Sequence, residues 1–228
     1  QRLSRGLGDV YKRQVLKEVT SLQKYFLDRG LQPGDKVAAY IANVGEAIIA
    51  MLAVTSLGGV WSSCSPDFGV KGVLDRFQQI DAKFFICAEK SYYGGKSFDL
   101  HSKNKEILEG LNTVEHILFL GENGVEGGVS YQEVLKAKNE HALKFVRLSF
   151  QHPLYILFSS GTTGAPKCIV HGAGGSYLQH LKEHLLHCDL KPSETLFYYT
   201  TTGWMMWNWL VGGLAAGAKI ICFEGAPM

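Results

Sequence analysis

The sequence predicts an α/β protein, with parallel-sheet layers flanked by helices, and three observations carry that expectation. Short apolar runs alternate with helical stretches along most of the chain. The runs are apolar on both faces, which marks strands covered by helices on both sides. The connections between them are short and punctuated by Gly, Pro and Asp. With 228 residues, 46% hydrophobic and 19% charged, the chain has the apolar material for a sizeable core.

Taken in order, Val15 to Arg29 places Val15, Val19, Leu22, Phe26 and Leu27 at helical spacing, and Gly30 is its cap. Pro33-Gly34-Asp35 reads as a turn into a compact strand, Val37 to Ile41. Glu46 to Leu57 is helical and is stopped by Gly58-Gly59. A strand begins at Val60-Trp61 and runs out into Ser62 to Gly69. Val70 to Ile80 is an amphipathic helix through Val70, Val73, Leu74, Phe77 and Ile80, and Lys83 to Cys87 is strand-like.

The stretch from Ser91 to Phe150 is more polar. It offers one clear strand, His116 to Leu120, one short helix, Tyr131 to Lys138, and a Gly-rich exposed loop from Gly121 to Gly128. The alternation then resumes. Strands are expected at Tyr155 to Phe158, Thr195 to Tyr199 and Lys219 to Phe223. An apolar run covers Cys168 to Val170, and helices cover Ser176 to Cys188 and Trp204 to Ala216.

Composition excludes several classes of function. A net charge of +2 gives no reason to expect nucleic acid or an anionic membrane as partner. No apolar run approaches the roughly 20 residues that cross a bilayer. Cys64, Cys87, Cys168, Cys188 and Cys222 are scattered without a C-x-x-C pair, which suggests reduced thiols in a cytoplasmic protein.

Residues 1–14, QRLSRGLGDVYKRQ, are basic and lack periodicity or the apolar core of a secretory signal. GDVYKRQ resembles translated adapter sequence, so these residues are set aside as a non-native leader. Residues 15–228 are then expected to be part of a larger domain, in an internal fragment.

The chemistry concentrates in YILFSSGTTGAPKCIVHGAGG, Tyr155 to Gly175. An apolar strand ends abruptly in Ser159, Ser160, Gly161, Thr162, Thr163 and Gly164, and Lys167 follows after Ala165 and Pro166. Glycines let backbone N–H groups approach a phosphate, hydroxyls donate further hydrogen bonds, and an ammonium neutralises charge. An ordinary Gly/Ser surface turn is the bland alternative; the order of strand, hydroxyl run, glycines and Lys favours a phosphate cradle. The nucleoside-triphosphatase loop needs Gly and Lys adjacent, and the dinucleotide fingerprint needs a third glycine that Gly172 to Tyr177 lacks.

Other candidates are weaker. His180 and His184 stand four apart on one helix, with His187 beyond, but the H-E-x-x-H order is absent and solvated or hydrogen-bonded histidines are the default. No metal ligand is assigned. Asp67 sits after a strand, where either a ligand contact or a simple turn fits. Ser159 and Ser160 lack the G-x-S-x-G frame of a nucleophile. In YYTTTGWMMWNWL, Tyr198 to Leu210, the Trp and Met residues suit core packing, or else Trp204 and its neighbours line a small pocket near the sheet's edge.

These motifs carry a resemblance. FSSGTTGAPKCIVHG, Phe158 to Gly172, resembles the phosphate-loop signature of the adenylate-forming enzymes, which include acyl-CoA synthetases. WSSCSPDFGVKGVLDRFQQI, Trp61 to Ile80, narrows this to the short-chain branch. HLKEHLLH with TTTGWMMWNWL is most similar to its acetoacetate-activating members. The resemblance covers about residues 15–228.

It implies an acid–thiol ligase: ATP and acetoacetate give an acyl-adenylate and pyrophosphate, and CoA then displaces AMP. It further implies that Ser159 to Gly164 and Lys167 hold the leaving phosphates with Mg²⁺, and that Trp204, Met205 and Trp207 shape the acyl pocket. The catalytic groups are expected beyond Met228, so the fragment by itself should be inactive. An acetate or propionate ligase, and a non-catalytic α/β module, are the rival readings.

Overall fold

A computed structural model describes residues 2–138, 140–159 and 164–226, with side chains from residue 13 onward. Among the described residues, seven strands form the main sheet. They are β1 (Lys36–Tyr40), β2 (Val60–Cys64), β3 (Phe84–Ala88), β6 (His116–Leu120), β7 (Gly128–Ser130), β8 (Pro153–Phe158) and β9 (Cys168–Gly172), in the spatial order β7-β6-β3-β1-β2-β8-β9. All neighbours are parallel except β8 and β9, which pair antiparallel. The sheet is thus mostly parallel, as expected, with one antiparallel pair at its edge. The chain turns straight back through the Ser159 to Lys167 loop, too short for the helical crossover that a parallel neighbour requires.

Helices cover both faces. The steps β1 to β2 and β2 to β3 run in opposite directions across the sheet. Right-handed crossovers therefore put α2 (Gly45–Ser56) and α3 (Val70–Phe77) on opposite sides. Helices α1 (Arg2–Asp28) and α5 (Tyr131–Lys136) join the α2 layer, and α4 (His101–Glu109) packs beside α3.

The expected α1 stripe is real. Val19, Leu22 and Phe26 are buried, and Phe26 meets Phe84 edge-on at 5.3 Å. The helix stops where expected: Gly30 has a φ of 73°, and the N–H of Leu31 donates to the Phe26 carbonyl at 2.9 Å. Its first turn lies at Arg2, upstream of Val15, so residues set aside in the sequence reading continue the helix.

Several other boundaries move. The strand begun at Val60-Trp61 continues to Cys64, because Ser62 and Ser63 find partners inside: Ser62 Oγ donates to the Ile156 carbonyl at 3.0 Å and Ser63 Oγ to the Thr202 carbonyl at 2.7 Å. Helix α3 ends at Phe77, before Ile80. Helix α5 ends at Lys136, because Ala137 turns extended with ψ at 140°.

The strands expected at Thr195 to Tyr199 and Lys219 to Phe223 shrink to β10 (Thr195–Leu196) and β11 (Lys219–Ile220), a separate parallel pair. Helix α6 (Ala173–Lys182) starts at Ala173 and passes into a π-helical turn, Glu183–His187. Helix α7 (Met205–Gly212) passes into a 3₁₀ turn, Gly213–Ala216.

Among the described residues, β4 (Lys90–Tyr93), β5 (Lys96–Asp99), α4 and β7 escape the sequence reading of the polar middle. Strands β4 and β5 form a hairpin through Gly94 and Gly95, whose φ values of 57° and 72° give the two-residue turn that matches strand twist. Beyond α5, the irregular chain is fastened in part by Gln23. Buried Gln23 donates to the Lys144 carbonyl at 2.7 Å and accepts from the Lys144 N–H at 2.9 Å. Among the described residues no helix is long and apolar enough to cross a membrane. All five cysteines are free; burial pushes the thiols of Cys64 and Cys87 up to about 12, so they stay protonated.

Candidate functional site

The ends of β1 and β2 mark the point where the chain's crossovers diverge to opposite faces, the place where open α/β sheets bind ligands. A cavity of about 530 Å³ opens there. Its floor is Ala42 and Asn43 after β1 and Ser65 to Asp67 after β2. The β4–β5 hairpin supplies Tyr92, Tyr93 and Phe98, α4 supplies Lys103, and Tyr199 to Thr201 with Phe223 to Gly225 close the far side.

The loop after β2 is stiff. Tyr40 Oη donates to the carbonyls of Pro66 and Phe68 at 3.0 and 2.9 Å, and Phe68 N–H closes a turn onto the Ser65 carbonyl at 3.0 Å. Asp67 therefore sits in a turn and also on the cavity wall.

The Tyr198 to Leu210 segment is fastened to these strand ends by buried polar bonds. Thr202 Oγ1 donates to the Ile41 carbonyl at 2.6 Å. The indole N–H of Trp61 donates to Ser63 Oγ at 3.1 Å, whose own hydroxyl reaches the Thr202 carbonyl. The indole N–H of Trp207 donates to Asn43 Oδ1 at 3.0 Å, and the Trp61 and Trp207 rings stack at 6.3 Å. Trp207 is wholly buried in this network, whereas Trp204 and Met205 are exposed at the start of α7. None of the three lines the cavity; their neighbours Thr200 and Thr201 do. The Thr201 hydroxyl is buried without a partner among the described residues.

The phosphate-cradle candidate is the loop that joins β8 to β9. Ser160, Gly161, Thr162 and Thr163 lie outside the described residues. The two ends are well defined. The N–H of Ser159 donates to the Lys167 carbonyl at 3.0 Å, and the N–H of Lys167 donates to Ser159 Oγ at 2.9 Å, so the loop is closed at its neck. Buried Pro166 is held by Gln79, whose Nε2 donates to its carbonyl at 2.8 Å. Gly164 has open space where a Cβ would stand. The Lys167 side chain is exposed and makes no ion pair among the described residues.

The histidines of α6 belong to the packing between α6 and α7. His184 is fully buried, its Nε2 lies 2.8 Å from the Trp209 carbonyl, and its ring packs on Trp209 at 4.3 Å. Burial, helped by His184 and His171 nearby, holds His180 down at about 4, so its ring is neutral at physiological pH. His187 is exposed.

Sequence reasoning missed the cavity's aromatic walls and the Asn43–Trp207 bond. Gly94-Gly95 between two aromatic runs was the available signal for the hairpin. A lone Asn inside an apolar helix was the signal at Asn208, which is buried with neither side-chain atom partnered among the described residues.

Comparison with known proteins places these features in a family. Residues 12–228 match the family model described as AMP-binding enzyme. The acetoacetyl-coenzyme A synthetase of Rhizobium meliloti (strain 1021) is 51% identical over 215 residues, 92% of this chain and 33% of that protein. The acetoacetyl-CoA synthetase of Mus musculus is 44% identical over 211 residues, 87% of this chain and 31% of the relative. The solved structure of acetoacetyl-CoA synthetase from Streptomyces lividans superposes with a TM-score of 0.90 at 40% identity, covering 94% of this chain and 33% of that one. The chain thus spans about a third of the length of the relatives it matches. By the match over residues 12–228, this chain belongs to the AMP-binding enzyme family, whose acyl-CoA synthetase members use ATP and CoA.

Proposed function

We propose that this chain is the phosphate-gripping and acyl-binding part of an enzyme that ligates acetoacetate to CoA. The observation that carries the reading is the closed neck at Ser159 and Lys167, where an exposed ammonium without an ion pair among the described residues adjoins a sequence run of hydroxyl residues and glycines. The acid's carboxylate attacks the α-phosphorus of ATP, the bond to the β-phosphate oxygen breaks, and pyrophosphate leaves with its charge held by Lys167, Ser159 to Gly164 and their backbone donors. The CoA thiolate then attacks the acyl carbonyl and AMP departs.

Mg²⁺ enters in this proposal with the triphosphate. Among the described residues no cluster of three His, Cys, Asp or Glu side chains could cage it. The chain's own proposed share is the cation and hydroxyls around the phosphates. The cavity at the switch point suits the nucleotide end of CoA, with Tyr92, Tyr93 and Phe98 for stacking and Lys103 for phosphate. Trp204 and Met205 are proposed on the acyl side, with buried Trp207 fixing their helix. A cytosolic setting accords with the free thiols.

The test is acid-dependent exchange of pyrophosphate into ATP by the full-length protein. Acetoacetate should support exchange well above acetate or propionate. Equal or greater exchange with acetate would overturn the choice of acid, and no exchange with any short acid would overturn the reaction.

A further inference from the structure

We propose that the side-chain amide of Asn208 reads the 3-keto oxygen of the acid, an inference that rests on the acyl-binding role proposed above for the start of α7. Asn208 is 2% exposed, and neither Oδ1 nor Nδ2 has a hydrogen-bond partner among the described residues. Leaving a buried amide unpaired is costly, so such a group in a well-packed helix points to a partner that comes and goes.

The helix directs Asn208 to the right place. Residues three apart share a helix face, so Asn208 stands one turn below Met205, with Trp204 preceding it at the helix cap. Those two side chains are 40% and 50% exposed. Asn208 is therefore one turn deeper than exposed Met205, on the same face. Trp207 next to it is locked by its stack on Trp61 and its bond to Asn43, which fixes the rotation of the helix and hence the direction of the amide.

An acid entering past Trp204 and Met205 would bring its chain toward this amide. Acetoacetate carries a carbonyl acceptor at carbon 3, to which Nδ2–H donates. Butyrate has the same chain length and offers no acceptor, so it leaves the buried amide unpaired. Sites built to hydrogen-bond a substrate group discriminate strongly against the analogue that lacks it, for this reason.

The experiment compares acetoacetate with butyrate in pyrophosphate exchange by the full-length protein, as wild type and as Asn208→Leu. Leu has similar volume and no polar atoms, so the variant should melt no lower than wild type. Its kcat/KM for acetoacetate should fall by about 10- to 100-fold, while that for butyrate holds or rises. Asn208→Ser, which keeps a short donor, should retain part of the preference and serves if the Leu variant fails to fold.

Wild type that prefers acetoacetate, with variants that lose both acids equally, would mean that Asn208 pairs elsewhere in the protein and would overturn this inference alone. Wild type without preference for acetoacetate would overturn the choice of substrate and this inference together.

Discussion

The indole N–H of Trp207 donates to Oδ1 of Asn43 at 3.0 Å, joining helix α7 to the residue that follows strand β1. That bond lies beside the stack of Trp207 on Trp61, and both of its partners are buried. Trp207→Phe keeps a ring but leaves Asn43 Oδ1 unpaired, and should cost about 1–3 kcal/mol. Trp207→Ala also opens a cavity and should cost about 3–5 kcal/mol. Urea denaturation followed by circular dichroism measures both; equal midpoints for Phe and wild type would mean the bond contributes nothing.

Lys167 and Lys103 should separate the two half-reactions. Lys167→Ala removes the exposed ammonium at the loop's neck and should lower acetoacetate-dependent pyrophosphate exchange by about 100-fold with no change in melting temperature. Lys103→Ala removes the cation of the cavity wall. It should leave exchange unchanged and raise the KM for CoA in the complete reaction by about tenfold. If Lys103→Ala instead impairs exchange, the cavity serves ATP or the acid rather than CoA.

Glu89 supplies a pH signature. Its carboxylate accepts from the Asn123 side chain at 2.9 Å and from the Glu122 N–H at 2.8 Å, and these bonds hold it down at about 2 against its ordinary 4.5. A depressed carboxyl stabilises the fold above its unfolded value, and that contribution is lost as pH falls from about 4.5 toward 2. Glu89→Gln should therefore be less stable than wild type at pH 7. The gap should narrow through that window, as read from urea midpoints at pH 7 and pH 3. A gap that is constant with pH would show that the charge is not what matters.

Helices α6 and α7 touch through a glycine. A Cβ at Gly212 would stand 2.6 Å from Nδ1 and 3.0 Å from Cβ of His180, which is itself buried. Gly212→Ala should cost about 1–3 kcal/mol by forcing the helices apart. Gly175→Ala, within α6 but facing open space, should be neutral or stabilising by about 0.5–1 kcal/mol. Thermal melts of the two variants give the comparison, and equal shifts would remove the packing argument.

What could be read from the chain in advance was whatever local periodicity and local chemistry encode. The stripe of Val19, Leu22 and Phe26, the cap at Gly30 and the apolar cores of β1, β3 and β6 depend on near neighbours in sequence, and they were legible as an α/β pattern. The hydroxyl and glycine run ending at Lys167 was legible as a candidate site, since its residues are consecutive in the chain.

Tertiary structure decided the rest. It reversed β9 against β8, because the short loop can only double back. It buried Trp207 while exposing Trp204 and Met205, because Asn43 and Trp61, distant in sequence, claim the indole. It gathered Asn43, Asp67, Tyr93 and Lys103 from separate elements around one cavity. Such partners meet only when strands order themselves in space, and no local pattern records which distant groups will face a given side chain.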